Sequence, residues 1–144
     1  MRRFLFDTSV FIYALGGEHR YREPCRAILT EMRGGGLAGE TSIELVHEFS
    51  HVRYRHGIAR AEASESAGDI VGMCPSHTVV RGDIERAMGL WCEHERLDMR
   101  DAIFAAQALN RDIDAILSPD RDFDGIPGLE RIDPADAEAM ARLK

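Results

Sequence analysis

The chain has 144 residues, of which 44% are apolar and 30% are charged, a balance typical of globular proteins and not of disordered or collagen-like ones. This length corresponds to one domain, so we expect a single domain over residues 1–144 that needs no disulfide or structural zinc. Its 18 Lys and Arg and 25 Asp and Glu give a formal net charge of −7. That charge disfavours non-specific attraction to nucleic acid or anionic membranes, but not nucleic-acid contact through bound cations.

The cysteines and the first apolar runs indicate a cytoplasmic protein. No C-x-x-C motif occurs among the three cysteines, Cys25, Cys74 and Cys92. This argues against a disulfide framework and against a cysteine zinc site. We expect these thiols to be reduced and mostly buried. Asp7 interrupts the first apolar run, and the next run, over residues 10–15, is too short for a signal sequence or a membrane span. We therefore expect a soluble protein with no membrane contact.

Strand-like and helix-like segments alternate along the chain. We predict strands over residues 4–6, 37–40, 77–80, 114–118 and 130–132. We predict helices over residues 10–15, 21–33, 58–73, 83–95 and 99–110, another after residue 42 and a last one starting near residue 133. In the helix over 83–95, we expect Ile84, Ala87, Met88 and Trp91 to face the core. The alternation favours an α/β fold with a mostly parallel sheet of about five strands.

Asp7 follows the first predicted strand, at the edge where open parallel sheets form their ligand-binding crevices. Its carboxylate is therefore a candidate ligand or catalytic group. The same residue is also placed to cap the next helix, although Thr8 or Ser9 could serve that role equally.

Asp101 begins a helix that is apolar on most of its surface. It shares one face with Ala105 and Ala108, where an ionised carboxylate is costly unless it is paired. A favourable interaction with the helix dipole, worth about 0.3–1 kcal/mol, is the simpler explanation for an acid at this position. The residues alone leave both explanations open.

A third acidic segment follows the strand over residues 114–118, where Asp120, Asp122 and Asp124 occupy alternate positions. Three carboxylates at this spacing repel one another unless a cation lies among them. An exposed, aspartate-rich turn would also account for the segment.

Four polar residues share one face of the helix after residue 42, namely Glu44, His47, Glu48 and His51. His47 to His51 matches the H-E-x-x-H pattern, in which two histidines bind zinc and the glutamate acts as general base of a metalloprotease. The longer metzincin pattern is not met, because residues 54 and 57 are not the required glycine and histidine. A zinc metalloprotease is retained as an alternative function.

Taken together, these segments resemble the PIN-domain ribonucleases, specifically the VapC-type toxins of bacterial toxin–antitoxin pairs. The resemblance is carried by four blocks over residues 6–14, 41–48, 100–106 and 116–124. Each block is moderately specific, and their order and spacing strengthen the resemblance. It implies a PIN-like, three-layer α/β/α fold with an acidic pocket at the ends of the strands.

The resemblance also implies which residues form the site. The family's first acid corresponds to Asp7, its second to Glu48 and its third to Asp101. The fourth corresponds to Asp120, with Asp122 as second choice because this loop varies among family members. These acids would be both the catalytic residues and the metal ligands.

Two neighbouring residues receive lesser roles from the resemblance. Ser9 stands two residues after the first acid, where the family often has asparagine or serine, and it would support Asp7 or a water. Asp98, one turn before Asp101, is expected to be peripheral. Glu44 lies one turn before Glu48 and could be mistaken for the second acid, but the spacing from Ser42 favours Glu48.

The implied activity is hydrolysis of RNA phosphodiester bonds by a metal-dependent endoribonuclease. Carboxylate oxygens are hard ligands that favour Mg²⁺ or Mn²⁺. Such an ion would stabilise charge on the attacked phosphate, and either Glu48 or the ion itself would activate the attacking water. A non-catalytic PIN scaffold is a further alternative.

The partners implied by the resemblance are an RNA substrate, a cognate antitoxin protein and a second copy of the chain in a homodimer. Arg53, Arg55 and Arg60 concentrate positive charge just beyond the Glu48 helix, where an RNA backbone could bind. The same cations would also be favourable at a solvated helix C-terminus without any RNA.

Overall fold

The computed structural model describes all residues, 1–144, and contains five strands and seven α-helices. The strands are β1 (Arg3–Phe6), β2 (Ala38–Ser42), β3 (Ser76–His77), β4 (Ala115–Leu117) and β5 (Glu130–Ile132). The helices are α1 (Thr8–Leu15), α2 (Arg22–Arg33), α3 (Ile43–Arg55), α4 (Arg60–Met73), α5 (Arg81–Glu93), α6 (Met99–Asn110) and α7 (Ala137–Ala141). A short 3₁₀ helix spans Arg121–Phe123.

The five strands form one sheet in the order β3-β2-β1-β4-β5, and every neighbouring pair is parallel. In the central register, Leu5 of β1 lies between Glu40 of β2 and Ile116 of β4. Helices α1 to α4 pack with one another, and α5 packs on α6, as expected for a three-layer α/β/α arrangement. The predicted fold class is confirmed. Because all strands run the same way, their carboxyl ends lie at one edge of the sheet.

Aromatic packing fixes the elements that lead into this edge. The ring of Phe6 on β1 contacts that of Phe11 on α1, with centroids 4.9 Å apart, and Phe11 contacts Phe49 on α3 at 6.4 Å. All three rings are buried. Gly39 on β2 leaves the space that the Phe6 ring needs, since a Cβ there would collide with Phe6 and with Phe4. The packing thereby holds Asp7 and Glu48, which adjoin Phe6 and Phe49, at fixed positions.

The orientation predicted for the helix over 83–95 is wrong in part. Met88 and Trp91 are exposed, Trp91 to 51% of its surface, whereas Ala87 is buried. Asp83 takes the inward position because Arg111 donates to its carboxylate at 2.9 and 3.0 Å. This ion pair joins α5 to the end of α6. The face of α5 that carries residues 83, 87 and 90 therefore lies toward the core.

The remaining differences from the predicted elements are small. Strand β3 has two residues where four were predicted, and α7 begins at Ala137 because Asp136 accepts the first backbone N–H groups of the helix. Cys92 is exposed, unlike the other two thiols. None of the helices has both the length and the apolar character that a membrane crossing requires.

Candidate active site

Asp7 lies directly after β1, where its carboxylate is buried and held by two hydroxyl groups. Ser118 Oγ donates to Asp7 Oδ2 at 2.6 Å, and Ser9 Oγ donates to the same oxygen at 2.7 Å. Asp7 occupies the N-cap position of α1 by its backbone, but its side chain makes no capping hydrogen bond. The capping explanation therefore does not account for this carboxylate.

The environment of Asp7 opposes ionisation. Burial raises the pKa of its carboxyl group, the hydrogen bonds from Ser118 and Ser9 lower it, and the nearby charge of Asp120 raises it. The net direction is upward. A cation next to this group would favour its charged form.

Helix α3 carries Glu48, which lines the same cavity as Asp7. Burial raises the pKa of the Glu48 carboxyl group, the charge of Arg100 lowers it, and the charges of Asp7 and Asp98 raise it. Arg100 Nη1 lies 3.6 Å from Glu48 Oε1. This long contact leaves Glu48 oxygens free to accept a proton or to contact a cation.

Asp101 lies in the first turn of α6, and the pKa of its carboxyl group is strongly raised. Burial and the charges of Asp7, Asp98, Asp120 and Glu48 raise its pKa to about 8. The helix is already capped by Asp98, whose Oδ1 accepts the Asp101 N–H at 2.8 Å. Favourable contact with the helix dipole is thus outweighed by burial and repulsion from other acids.

The loop after β4 separates its three aspartates. Asp120 lines the cavity, its N–H donates to Ser118 Oγ at 3.0 Å, and its Oδ1 accepts the Asp122 N–H. Asp122 pairs with Arg96 at 3.2 Å, and Asp124 pairs with Arg131 at 2.6 Å. Of the two residues considered for the fourth acid, the structure brings only Asp120 to the cavity.

One cavity of about 310 Å³ collects the acids that the resemblance assigned to the site. It is lined by Asp7, Glu48, Asp101 and Asp120, together with Ser9, Thr8, Asp98 and Arg100. The hydroxyl oxygen of Thr8 is buried without a hydrogen-bond partner. Four carboxylates crowded in one cavity, three of which have raised pKa values, create a site that a divalent cation would stabilise.

Comparison with known proteins identifies the family. A family model described as PIN domain matches residues 4–129. Ribonuclease VapC13 from Mycobacterium tuberculosis is 32% identical over 130 residues, covering 89% of this chain and 98% of that protein. Ribonuclease VapC7 from the same organism is 29% identical over 141 residues, covering 96% of each. The chain belongs to the PIN-domain family, among the VapC ribonucleases.

Solved structures agree with this assignment at the level of the fold. A toxin–antitoxin complex from Klebsiella pneumoniae matches with a TM-score of 0.70 at 19% identity, covering 92% of this chain and 98% of that chain. This PIN domain therefore has the fold expected from its sequence relatives.

The basic residues beyond α3 are placed differently from one another in this PIN domain. Arg53 is only 8% exposed, and its Nη1 donates to the backbone oxygen of Leu15 at 3.3 Å. Its guanidinium is turned into the protein, which leaves Arg53 poorly placed to contact RNA. Arg55 and Arg60 are exposed, and Arg60 lies over the Tyr54 ring at 4.9 Å.

Three residues that line or support the PIN-domain cavity are missed or underrated by sequence reasoning. Ser118 received no role from the sequence, although it directly follows β4 as Asp7 directly follows β1. Asp98 was expected to be peripheral, but it lines the cavity. For Arg100, the only sequence feature that could have indicated a place in the site is its position next to Asp101.

Proposed function

We propose that this PIN domain is a metal-dependent endoribonuclease that hydrolyses RNA phosphodiester bonds and is the toxin of a type II toxin–antitoxin pair. The observation that carries the proposal is the meeting of Asp7, Glu48, Asp101 and Asp120, from four separate segments, in one cavity. The ribonuclease names of the relatives support the same activity. Carboxylates that repel one another at a sheet edge are suited to hold divalent ions, and such ions promote the hydrolysis of phosphodiester bonds.

We propose Mg²⁺ or Mn²⁺ as the ion, held by Asp7, Asp101 and Asp120 with Glu48 at the side. The donor set fits, because it consists of carboxylate oxygens with no thiol in the cavity. No three His, Cys, Asp or Glu side chains of the chain are already arranged to hold a metal ion, so acids other than Asp7 would have to move on binding. When bound, the ion supplies charge stabilisation for the attacked phosphate and activates water.

The residues of the chain take complementary roles in this proposal. Ser118 and Ser9 fix the rotamer of Asp7 through the two hydrogen bonds to its Oδ2. Glu48 accepts a proton from the attacking water, a role suited to a carboxyl group whose pKa is raised. Arg55 and Arg60 are exposed cations that would contact the RNA backbone at a distance from the acids.

The proposed partners are a cognate antitoxin and a second copy of the chain. The antitoxin is supported by the toxin–antitoxin complex from Klebsiella pneumoniae, whose fold this chain shares. We propose that the protein acts in the cytoplasm, where its RNA substrate is found.

The two alternative functions are less well supported. The zinc metalloprotease needs a third zinc ligand besides His47 and His51, with Glu48 as general base, but Glu48 also lines the acidic cavity beside Asp7, and the relatives of the chain are ribonucleases. A non-catalytic scaffold offers no reason for burying Asp7 among hydroxyl donors next to three other acids.

Cleavage of defined single-stranded RNAs by the purified chain tests the proposal. The wild type is expected to produce internal cuts with Mg²⁺ or Mn²⁺ and none with a chelator. Asp7→Asn and Asp101→Asn should each lower the rate by at least about a hundredfold. Asp69→Asn, an exposed acid on α4, is the matched control and should cleave normally. Absence of cleavage by the wild type with either metal would favour the scaffold, and equal cleavage by Asp7→Asn and the wild type would contradict the acidic site.

A further inference from the structure

The two histidines of the H-E-x-x-H segment line a second cavity, also of about 310 Å³, beside the acidic one. His47 is exposed on α3, its side chain to 80%, and its Nδ1 lies 3.6 Å from Glu44 Oε2. His51, one turn further along, is also exposed and forms no hydrogen bond or ion pair. Both imidazoles are thus free to contact a ligand.

The opposite wall of this second cavity is apolar. It is formed by Ile103 and Phe104 of α6, and Phe104 is 1% exposed. Helices α3 and α6 therefore line one open cavity, in which α6 contributes the apolar side chains and α3 contributes the imidazole rings. A planar heteroaromatic ring suits such a space, because it can stack on the imidazoles while its other face leaves water.

The second cavity is continuous with the acidic one, because Glu48 and Arg100 line both. Arg100 is the only cation there, with its guanidinium 3.6 Å from Glu48 and 3.4 Å from Asp98. A ligand that occupies both cavities has to pass Arg100. A phosphate group at this point would meet a guanidinium, the side chain best suited to bind it.

We propose that the second cavity is a nucleobase subsite, which holds one base of single-stranded RNA while an adjoining phosphate lies at the carboxylates. Glu44 is an acceptor, so the subsite favours bases with an exocyclic amino group, namely adenine, cytosine and guanine. Uracil has no amino group, and its one N–H lies between two carbonyl oxygens that a carboxylate repels. Single-stranded RNA is commonly read by such stacking and edge contacts. The inference deepens the proposed function, and its RNA context rests on it.

Titration of the metal-free protein with the four uncharged nucleosides tests the subsite separately from catalysis. The imidazole proton NMR signals of His47 and His51 should shift with adenosine, cytidine and guanosine, with dissociation constants in the millimolar range, and least with uridine. The signal of His94, which lies in neither cavity, should stay unchanged. The cavity-lining variants Ile103→Ala and His51→Ala should each weaken binding about tenfold.

Each other outcome would overturn the subsite without touching the proposed ribonuclease activity. One is that no nucleoside shifts either imidazole signal. Another is that both imidazoles bind stoichiometric Zn²⁺, which would make this a metal site. A third is that the signals respond only to the antitoxin, which would make it a protein-docking surface. Loss of RNA cleavage by Asp7→Asn with intact nucleoside binding would instead support both proposals.

Discussion

Ser118, at the end of β4, donates a 2.6 Å hydrogen bond to Asp7, at the end of β1. The two residues are 111 positions apart in the chain, and they meet because β1 and β4 are parallel neighbours in register. Ser118 Oγ also accepts the N–H of Asp120. One hydroxyl group therefore positions two of the four acids of the cavity.

Removal of this hydroxyl should weaken the site more than the fold. In Ser118→Ala, Asp7 loses a donor and Asp120 loses its backbone anchor, so we expect about tenfold weaker Mn²⁺ binding and slower RNA cleavage. The free energy of unfolding should fall by about 1 kcal/mol. Ser9→Ala removes only the other donor to Asp7, and a smaller loss of Mn²⁺ affinity is expected. An equal or larger loss in Ser9→Ala would contradict the role given to Ser118.

Asp120 and Asp122 are expected to differ sharply on substitution. Asp120→Asn removes a carboxylate from the cavity and should lower RNA cleavage by at least about tenfold. Asp122→Asn removes only the partner of Arg96, an exposed pair of small energetic value, and should cleave within about twofold of the wild type. Cleavage rates of both variants at saturating metal test this prediction. A larger loss in Asp122→Asn than in Asp120→Asn would make Asp122 the fourth acid of the site.

The pH dependence of metal-free stability follows from Asp101. Its pKa is raised to about 8 in the folded protein, so between pH 4 and 8 the folded state binds a proton that the unfolded state has lost. The free energy of unfolding should therefore decrease as the pH rises through this window. Asp101→Asn removes the titrating group and should stabilise the metal-free protein at pH 8 by about 2 kcal/mol.

Urea denaturation at several pH values, with a chelator present, measures this effect. The wild-type curve should slope downward from pH 5 to 8, and the Asp101→Asn curve should be flatter. Saturating Mg²⁺ should reduce the difference between the two proteins by stabilising the wild type. Parallel curves for both proteins would show that Asp101 ionises at an ordinary pKa.

The pair of Asp83 and Arg111 should contribute to stability and not to activity. The hydrogen bonds of Arg111 and the Val80 N–H outweigh burial and lower the pKa of Asp83 to about 2. Its contribution is therefore present above pH 4 and is lost as the pH falls toward 2. Asp83→Asn should lower the free energy of unfolding at pH 7 by about 3 kcal/mol.

A matched control for this pair lies on the same helix. Glu85→Gln breaks the exposed ion pair with Arg81 and should cost less than about 0.5 kcal/mol. Thermal or urea unfolding of both variants gives the comparison, and RNA cleavage below the melting temperature should be unchanged in each. Equal stability losses would mean that burial adds nothing to the Asp83 pair.

The sheet and the four acids were predictable because each depends on a local signal. A short apolar run followed by Asp7, or a capped amphipathic helix carrying Glu48, is visible within about ten residues of sequence. Because parallel strands end at the same edge of the sheet, the residues that follow them lie close together there. This is why the family resemblance and the structure select the same cavity.

The contacts that could not be predicted join residues that lie far apart in the chain. Helical periodicity predicts that Met88 and Trp91 face the core. The pairing of Asp83 with Arg111 instead turns another face of α5 toward the core. Arg53 was read as a surface cation, whereas the backbone oxygen of Leu15 draws its guanidinium inward. Each of these depends on a partner in another element, which a pattern within one helix does not reveal.

Binding of Mn²⁺ to the purified protein, followed by electron paramagnetic resonance, tests the central claim most directly, because it measures the shared acidic cavity without RNA or antitoxin. The wild type and Asp69→Asn should bind Mn²⁺ with equal affinity. Asp7→Asn, Asp101→Asn and Asp120→Asn, which alter three separate segments of the chain, should each lower that affinity by at least about tenfold. Unchanged affinity in all three variants, with their folds intact, would contradict a common cation site.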